Sequence, residues 1–170
     1  MTVFFDVDTQ LDFVNPSGAL YVPGAEKRIP MIAALNRRAQ RLVSTVDAHP
    51  ENDIEFRTWP PHCIMGTLGQ RKPSETLVGG SQIIFEKTTT DAFLHPGLMP
   101  LLAELGADRY VVYGVVTEIC VRFAALGLLA LGKPVDVVTD AVEMLSAQAR
   151  DAFYTEFTGR GGRLVTSFHI

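Results

Sequence analysis

The 170-residue sequence predicts an α/β protein: a three-layer α/β/α sandwich around a mostly parallel sheet of roughly six strands. Two observations predict it. Short β-rich apolar runs alternate with longer segments of helical apolar spacing through most of the chain. Those strand-like runs are largely apolar from end to end, as expected of strands covered by helices on both faces. No internal repeat, low-complexity tract or second-domain boundary interrupts the pattern, so residues 1–170 read as a single domain.

The elements follow in order. Val3–Val7 is a buried strand ending near Asp8, with a loop after it. Pro16, Gly18, Pro23 and Gly24 keep Asn15–Gly24 non-helical. Ile29, Ile32, Leu35 and Ala39 give Ala25–Arg41 a helical spacing, and Leu42–Val46 returns to strand. Asp47–Pro73 holds four prolines, two histidines and the only tryptophan, Trp59, and shows little periodicity. A long irregular segment of this kind, rich in Asp, His, Trp and Cys, predicts an ordered functional loop. Gln82–Phe85 is a strand ending at Glu86 and Lys87, and Gly97–Leu105 a short helix. Tyr110–Tyr113 is a strand punctuated by Gly114, and Thr117–Leu131 the helix that follows it. Lys133 and Pro134 turn the chain into strand Val135–Thr139. Ala147–Phe157 is a helix, broken by the glycines of Gly159–Gly162, and Arg163–Val165 is the last strand.

Hydrophobic residues make up 47% of the chain and charged residues 20%, the balance of a globular protein with a large core. The net charge of −4, with no basic run, argues against nucleic acid or an anionic membrane as partner. Two cysteines, Cys63 and Cys120, make no disulfide framework and fit a reducing, cytoplasmic compartment. The N-terminus lacks the basic region of a signal peptide, and the most apolar run, Phe123–Leu131, is too short to span a bilayer.

Three chemically active residues fall at the carboxyl ends of three strands: Asp8, Lys87 and, just after its strand, Cys120. In a parallel sheet those ends share one edge, where open α/β sheets bind ligands. An acid, a cation and a thiol make a nucleophilic set. Cys120 in the first turn of a helix would be favoured as thiolate by the unpaired amides and the dipole there. Each residue has a plainer alternative: Cys120 as a buried cysteine, Asp8 as a turn residue, Lys87 as a solvated surface residue. Their joint placement favours the chemical reading. Asp47 and His49, two apart in an extended segment, point the same way, and His62 follows the Trp59-Pro-Pro elbow. Alone, this Asp-x-His with a distant His is a weak metal signal. A carboxylate with two imidazoles suits Zn²⁺, with Fe²⁺ or Mn²⁺ as alternatives.

Four segments together resemble the isochorismatase-like cysteine hydrolases, and within them the nicotinamidases (pyrazinamidases). They are Asp8-Thr-Gln-Leu-Asp-Phe13; Phe85-Glu-Lys87; Gly114-Val-Val-Thr-Glu-Ile-Cys-Val121; and the loop with Asp47-Ala-His49-Pro50, Trp59-Pro-Pro-His-Cys63 and Gly66-Thr67. The resemblance spans Phe4 to roughly Val138 and is most specific around Cys120. It implies a catalytic triad of Asp8, Lys87 and Cys120. It also implies a cis peptide before Val116, with the Val116 and Cys120 amides as oxyanion hole. Asp47, His49 and His62 become ligands of a divalent metal. Many relatives carry a further His in this loop; here Glu51-Asn-Asp53-Ile-Glu55 stands instead. Glu55 is the fourth ligand expected, with Asp53, Glu51 or water as rivals. Phe13 and Trp59 are the expected walls of a ring slot, Cys63 a structural cysteine. His95 and His169 have no partner legible in the sequence.

The implied activity is hydrolysis of nicotinamide to nicotinate and ammonia through a cysteine thioester, a step of NAD salvage, in a chain that could form a homo-oligomer. The rivals are a metal-free amidase for a ureido or N-carbamoyl substrate and a non-catalytic α/β binding module. A redox role is weakened because no Cys-x-x-Cys is present. Nucleotide binding is weakened because neither a Gly-x-Gly-x-x-Gly nor a P-loop is present.

Overall fold

A computed structural model describes residues 1–170. Six strands form one sheet: β1 (Thr2–Val7), β2 (Leu42–Asp47), β3 (Gln82–Lys87), β4 (Arg109–Val115), β5 (Val135–Glu143) and β6 (Arg163–Val165). Their order is β3-β2-β1-β4-β5-β6, and every neighbouring pair is parallel. The central strands explain the three layers. From Val3 to Val7, throughout β2, and from Tyr110 to Val115, every residue is buried, so both faces of the sheet are covered. The α/β class and the six parallel strands are those the sequence predicts.

Three strands run further than the sequence predicts: β2 reaches Asp47, which pairs with Lys87 at the end of β3, β4 reaches Val115 and β5 reaches Glu143. Backbone pairing does not require an apolar side chain, and these polar strand ends carry two of the residues discussed below. β5 also shifts register against β4 between Val112 and Gly114.

The helical segments differ in detail. A single turn, α1 (Leu11–Val14), occupies residues read as loop. The segment read as helix from Ala25 opens with a 3-10 turn, Ala25–Arg28, before α2 (Ile29–Arg38). Pro30 sits in the first turn of α2, where its missing N–H has no intrahelical partner to lose. α3 (Leu98–Leu105) ends at Gly106, in the left-handed conformation that closes many helices. The segment after β4 begins as a π turn, Thr117–Val121, in which the Val121 N–H reaches the Val116 carbonyl at 3.1 Å. α4 (Arg122–Ala130) continues from it. α5 (Ala147–Gly159) is capped by Ser146, whose Oγ accepts the Ala149 N–H at 3.2 Å. No helix is long and apolar enough to cross a membrane.

The crossovers place the site. From β1 the chain moves outward to β2 and β3; from β4 it moves the other way to β5 and β6. Right-handed crossovers in opposite directions put α2 on one face and α4 and α5 on the other. The carboxyl ends of β1 and β4 therefore flank the switch point, where such sheets bind ligands. Gly114 allows the two strands to close up there. At its φ of +117°, an added Cβ would lie 2.1 Å from the Val7 carbonyl oxygen.

Candidate active site

Asp8 ends β1 with a left-handed φ of 49°. Its N–H bonds the Thr45 carbonyl at 3.0 Å, and the Thr45 hydroxyl donates to Asp8 Oδ1 at 2.7 Å. Lys87, at the end of β3, crosses the end of β2 and places Nζ 2.8 Å from Asp8 Oδ2. The same ammonium bonds Asp47 Oδ1 on β2. All three side chains are buried. Asp8 Oδ2 has this ion pair but no aligned hydrogen-bond donor, so an oxygen remains able to accept a proton.

Cys120 lies in the π turn and is buried beside Asp8 and Lys87. Its electrostatics differ from those read off the sequence. Burial pushes the thiol well above its usual range, and the Asp8 carboxylate adds to this; Lys87 opposes both without overcoming them. Burial and the Asp8 charge thus favour the thiol over the thiolate at Cys120. Burial likewise raises the Asp8 carboxyl, with Lys87 pulling the other way and Asp47 adding to the rise. Lys87 is desolvated, which lowers its proton affinity, but Asp8 and Asp47 outweigh this and hold it firmly cationic. Thus Asp8 is a carboxylate with raised proton affinity in contact with a thiol, the arrangement that lets a proton move on attack. The Val115–Val116 peptide is cis, and Val116 and Cys120 both border the pocket described below.

Asp47 links this set to a second cluster. Its other oxygen, Oδ2, lies 3.7 Å from His49 Nε2 and 3.9 Å from His62 Nε2. The possible ligand atoms of Asp47, His49 and His62 all fall within 4.8 Å of one another. Both imidazoles are oriented by their other nitrogen: His49 Nδ1 lies 3.0 Å from Asp53 Oδ2, and His62 Nδ1 lies 2.7 Å from the Pro60 carbonyl. An acceptor at Nδ1 fixes the proton there and turns the Nε2 lone pair inward, as in metal sites. His49 Nε2 is buried with no hydrogen-bond partner. Such an orphaned atom beside two further donors fits a divalent cation. Glu55 Oε2 lies 3.9 Å from His49 Nε2. Asp53 instead buttresses His49 and accepts the Glu55 N–H at 2.9 Å, and Glu51 is exposed. Of the three loop acids, the structure brings Glu55 to the cluster.

A pocket partly open to solvent joins the two clusters. Phe13, Trp59, Val116 and Cys120 line it with Asp47, Glu55 and His62. Ten of the fourteen lining residues are hydrophobic and none is Lys or Arg, so the slot suits a neutral, flat, largely apolar ligand. Phe13 also packs on the His62 ring, with centroids 5.4 Å apart.

Several contributors were not identified from the sequence. Phe56 packs on both His49 and His62, at 5.4 and 5.6 Å between ring centroids. Leu20, Tyr21, Val22, Thr90, Val115, Ile119 and Leu145 complete the pocket wall. Gln10 tethers both ends of the metal loop: it donates to the carbonyls of Asp47 and Gln70 at 2.8 and 2.7 Å and accepts the Asp47 N–H at 2.7 Å. Asp12 accepts the Cys63 N–H at 2.7 Å. Gln10 and Asp12 stand in the quoted Asp8–Phe13 segment; their side-chain pattern was the available signal. Cys63 is fully buried, with its thiol pushed far up by burial, as befits a structural cysteine. His95 and His169 lie outside the pocket lining. His95 accepts the Gly97 N–H at 3.0 Å, and His169 pairs with the Thr166 hydroxyl at 2.9 Å.

The family model for the Isochorismatase domain matches residues 2–168. A nicotinamidase of Acinetobacter baylyi is 28% identical over 171 residues, covering 82% of this chain and 79% of that one. Among solved structures, the pyrazinamidase of Pyrococcus horikoshii in complex with zinc superimposes with a TM-score of 0.90 at 32% identity, over 97% of this chain and 98% of its own. PnC1 from L. infantum in complex with nicotinate gives 0.87 at 29% identity, over 98% and 93%.

Proposed function

The chain belongs to the isochorismatase family and is an amide hydrolase; from that premise we propose that it converts nicotinamide to nicotinate and ammonia, with Cys120 as nucleophile. One observation carries the reading: the Cys120–Asp8–Lys87 set and the Asp47–His49–His62 cluster open onto a single apolar pocket. A small aromatic ring held by one cluster presents its carboxamide to the other.

The geometry supports the following steps. As the Cys120 sulfur attacks the carboxamide carbon, its proton passes to Asp8. The developing oxyanion lies against the Val116 and Cys120 amides, the expected oxyanion hole. Asp8 returns the proton to the leaving nitrogen, and ammonia departs from the thioester. Asp8 then takes a proton from water as it attacks the thioester, and passes that proton to the departing sulfur, so that the thiol and the Asp8 carboxylate are restored and the acid leaves as nicotinate with release of its proton. Lys87 keeps Asp8 oriented and limits the charge that accumulates as sulfur becomes anionic. Phe13 and Trp59 flank the ring.

Asp47, His49 and His62, with Glu55 as fourth ligand, would hold a divalent metal, Zn²⁺ by the chemistry of the donor set. When bound, it supplies a Lewis-acid anchor that orients and polarises the ring. The zinc and nicotinate of the similar structures support this assignment.

A carboxylate-bearing N-carbamoyl substrate fits less well, because Asp47 and Glu55 line the pocket and no lysine or arginine does. The test is ammonia release from nicotinamide, pyrazinamide and N-carbamoyl amino acids, by zinc-treated and chelator-treated protein. Turnover of the aromatic amides that depends on metal is expected; metal-independent turnover of the N-carbamoyl compounds alone would overturn the assignment.

A further inference from the structure

Asp6 and Lys72 form a buried ion pair that none of these steps uses. Lys72 lies at the return end of the metal loop, with side chains 3% exposed for Lys72 and 0% for Asp6. Its Nζ lies 2.9 Å from Asp6 Oδ2 and 3.2 Å from the Thr9 carbonyl. Lysine is almost never so buried unless paired, and a packed apolar pair is often at least as stable as a buried ionic one. The second acceptor gives the pair a local meaning. Asp6 and Thr9 bracket Asp8, where the chain takes its left-handed turn. The Thr9 hydroxyl also donates to Asp6 Oδ1 at 2.5 Å. Asp6 is fixed from the helical side by Asn36 Nδ2 at 2.8 Å, and Asn36 in turn by the Tyr113 hydroxyl at 2.7 Å.

Other bonds hold the return limb further along. The Leu11 N–H bonds the Arg71 carbonyl at 2.8 Å, and the Asp12 N–H bonds the Gly69 carbonyl at 3.0 Å. Both act beyond Gln10. Lys72 supplies the grip before it, on both sides of Asp8.

We propose that Lys72 is a positioning residue: through Asp6 and the Thr9 carbonyl it holds the turn that aims Asp8 in register with the loop that carries His49, Glu55 and His62. The proposal rests on the assignment of Asp8 and Cys120 as the reacting pair. It explains why the turn is gripped by a flexible ammonium from the loop rather than by a residue of the sheet alone.

The double variant Asp6→Asn with Lys72→Met tests it, because both charges leave together and no unpaired ion is left in the core. The double variant should melt close to the unmodified protein. Its kcat for ammonia release should fall by roughly tenfold to a hundredfold, the effect of a reacting group displaced by about an ångström, with KM changed less. The pH profile of Cys120 alkylation by iodoacetamide should move as well. A normal kcat with an unchanged alkylation profile would overturn the proposal. Should the double variant fail to fold, Lys72→Arg keeps the charge pair while its wider head crowds the Thr9 carbonyl; it should keep the melting temperature and lose kcat, and a normal kcat again overturns the proposal. Alkylation needs no substrate, so failure of the nicotinamide assignment would show as inactive protein whose Cys120 profile still responds to the variant.

Discussion

Lys87→Met removes the ammonium that bridges two buried carboxylates. Asp8 and Asp47 are 1% and 2% exposed, so neither can recover its hydration without local opening. Methionine keeps most of the aliphatic stem, which confines the change to charge. Removing one partner of a buried ion pair costs about 3–5 kcal/mol. In a chain of this length 1 kcal/mol moves the melting midpoint by about 2–4 °C, so the metal-free variant should melt roughly 6–20 °C lower. The pH dependence has a definite sign. Without the ammonium, burial and the Asp47 charge are left to raise the folded-state proton affinity of Asp8 further above the unfolded value. Stability from such groups is present at low pH and lost as pH rises through the folded pKa, so the deficit should shrink as pH falls from about 7 toward about 5. Thermal and urea unfolding followed by circular dichroism in chelator measure both effects. A deficit below about 1 kcal/mol at neutral pH, or one that grows on acidification, would refute the reasoning.

Three further outcomes follow from the same geometry. In the metal-free chain His49 is pushed up to about 9: desolvation opposes this, but Asp47 and Asp53 win. Its proton stabilises the metal-free fold below the unfolded histidine pKa and stops doing so as pH rises through about 9. Zinc must displace that proton, so zinc affinity should climb with pH up to that value, and titration calorimetry in buffers of different ionisation enthalpy should show proton release. Asp8→Asn keeps the shape of the site but cannot accept the thiol proton; kcat should fall by about 10²–10⁴, read by ammonia release, while zinc content is unchanged. Gly114→Ala puts a Cβ 2.1 Å from the Val7 carbonyl oxygen at a φ of +117°, so soluble yield and melting temperature should drop sharply.

The fold was legible because its signal is local. All six strands are marked by short apolar runs, and the alternation with helices leaves a parallel sheet as the simple solution. Other strand ends were less legible: Asp47 and Glu143 continue the ladder without an apolar side chain to announce it. The start of α2 was read early because Ala25–Arg28 shares the helical apolar spacing, although only its 3-10 geometry is realised. At the site, strand-end placement singled out Asp8, Lys87 and Cys120 and spacing singled out Asp47 and His49, all of which the structure brings to one edge; the family resemblance gave them roles. It could not supply their protonation. Cys120 looks activated in one dimension, at a helix start beside a lysine. Its desolvation and the Asp8 charge, which decide the outcome, depend on residues more than a hundred positions away. The tethers Gln10, Asp12 and Lys72 were illegible for the same reason, since each acts on backbone distant in sequence.

The central claim is that Cys120 carries the acyl group of an aromatic amide. Rapid acid quenching of zinc-treated protein during nicotinamide turnover, followed by mass spectrometry of the Cys120 peptide, tests it most directly. A nicotinoyl thioester should be found on Cys120 during turnover and be absent from Cys120→Ala, which should release no ammonia. Ammonia release by Cys120→Ala at the rate of the unmodified protein would contradict it.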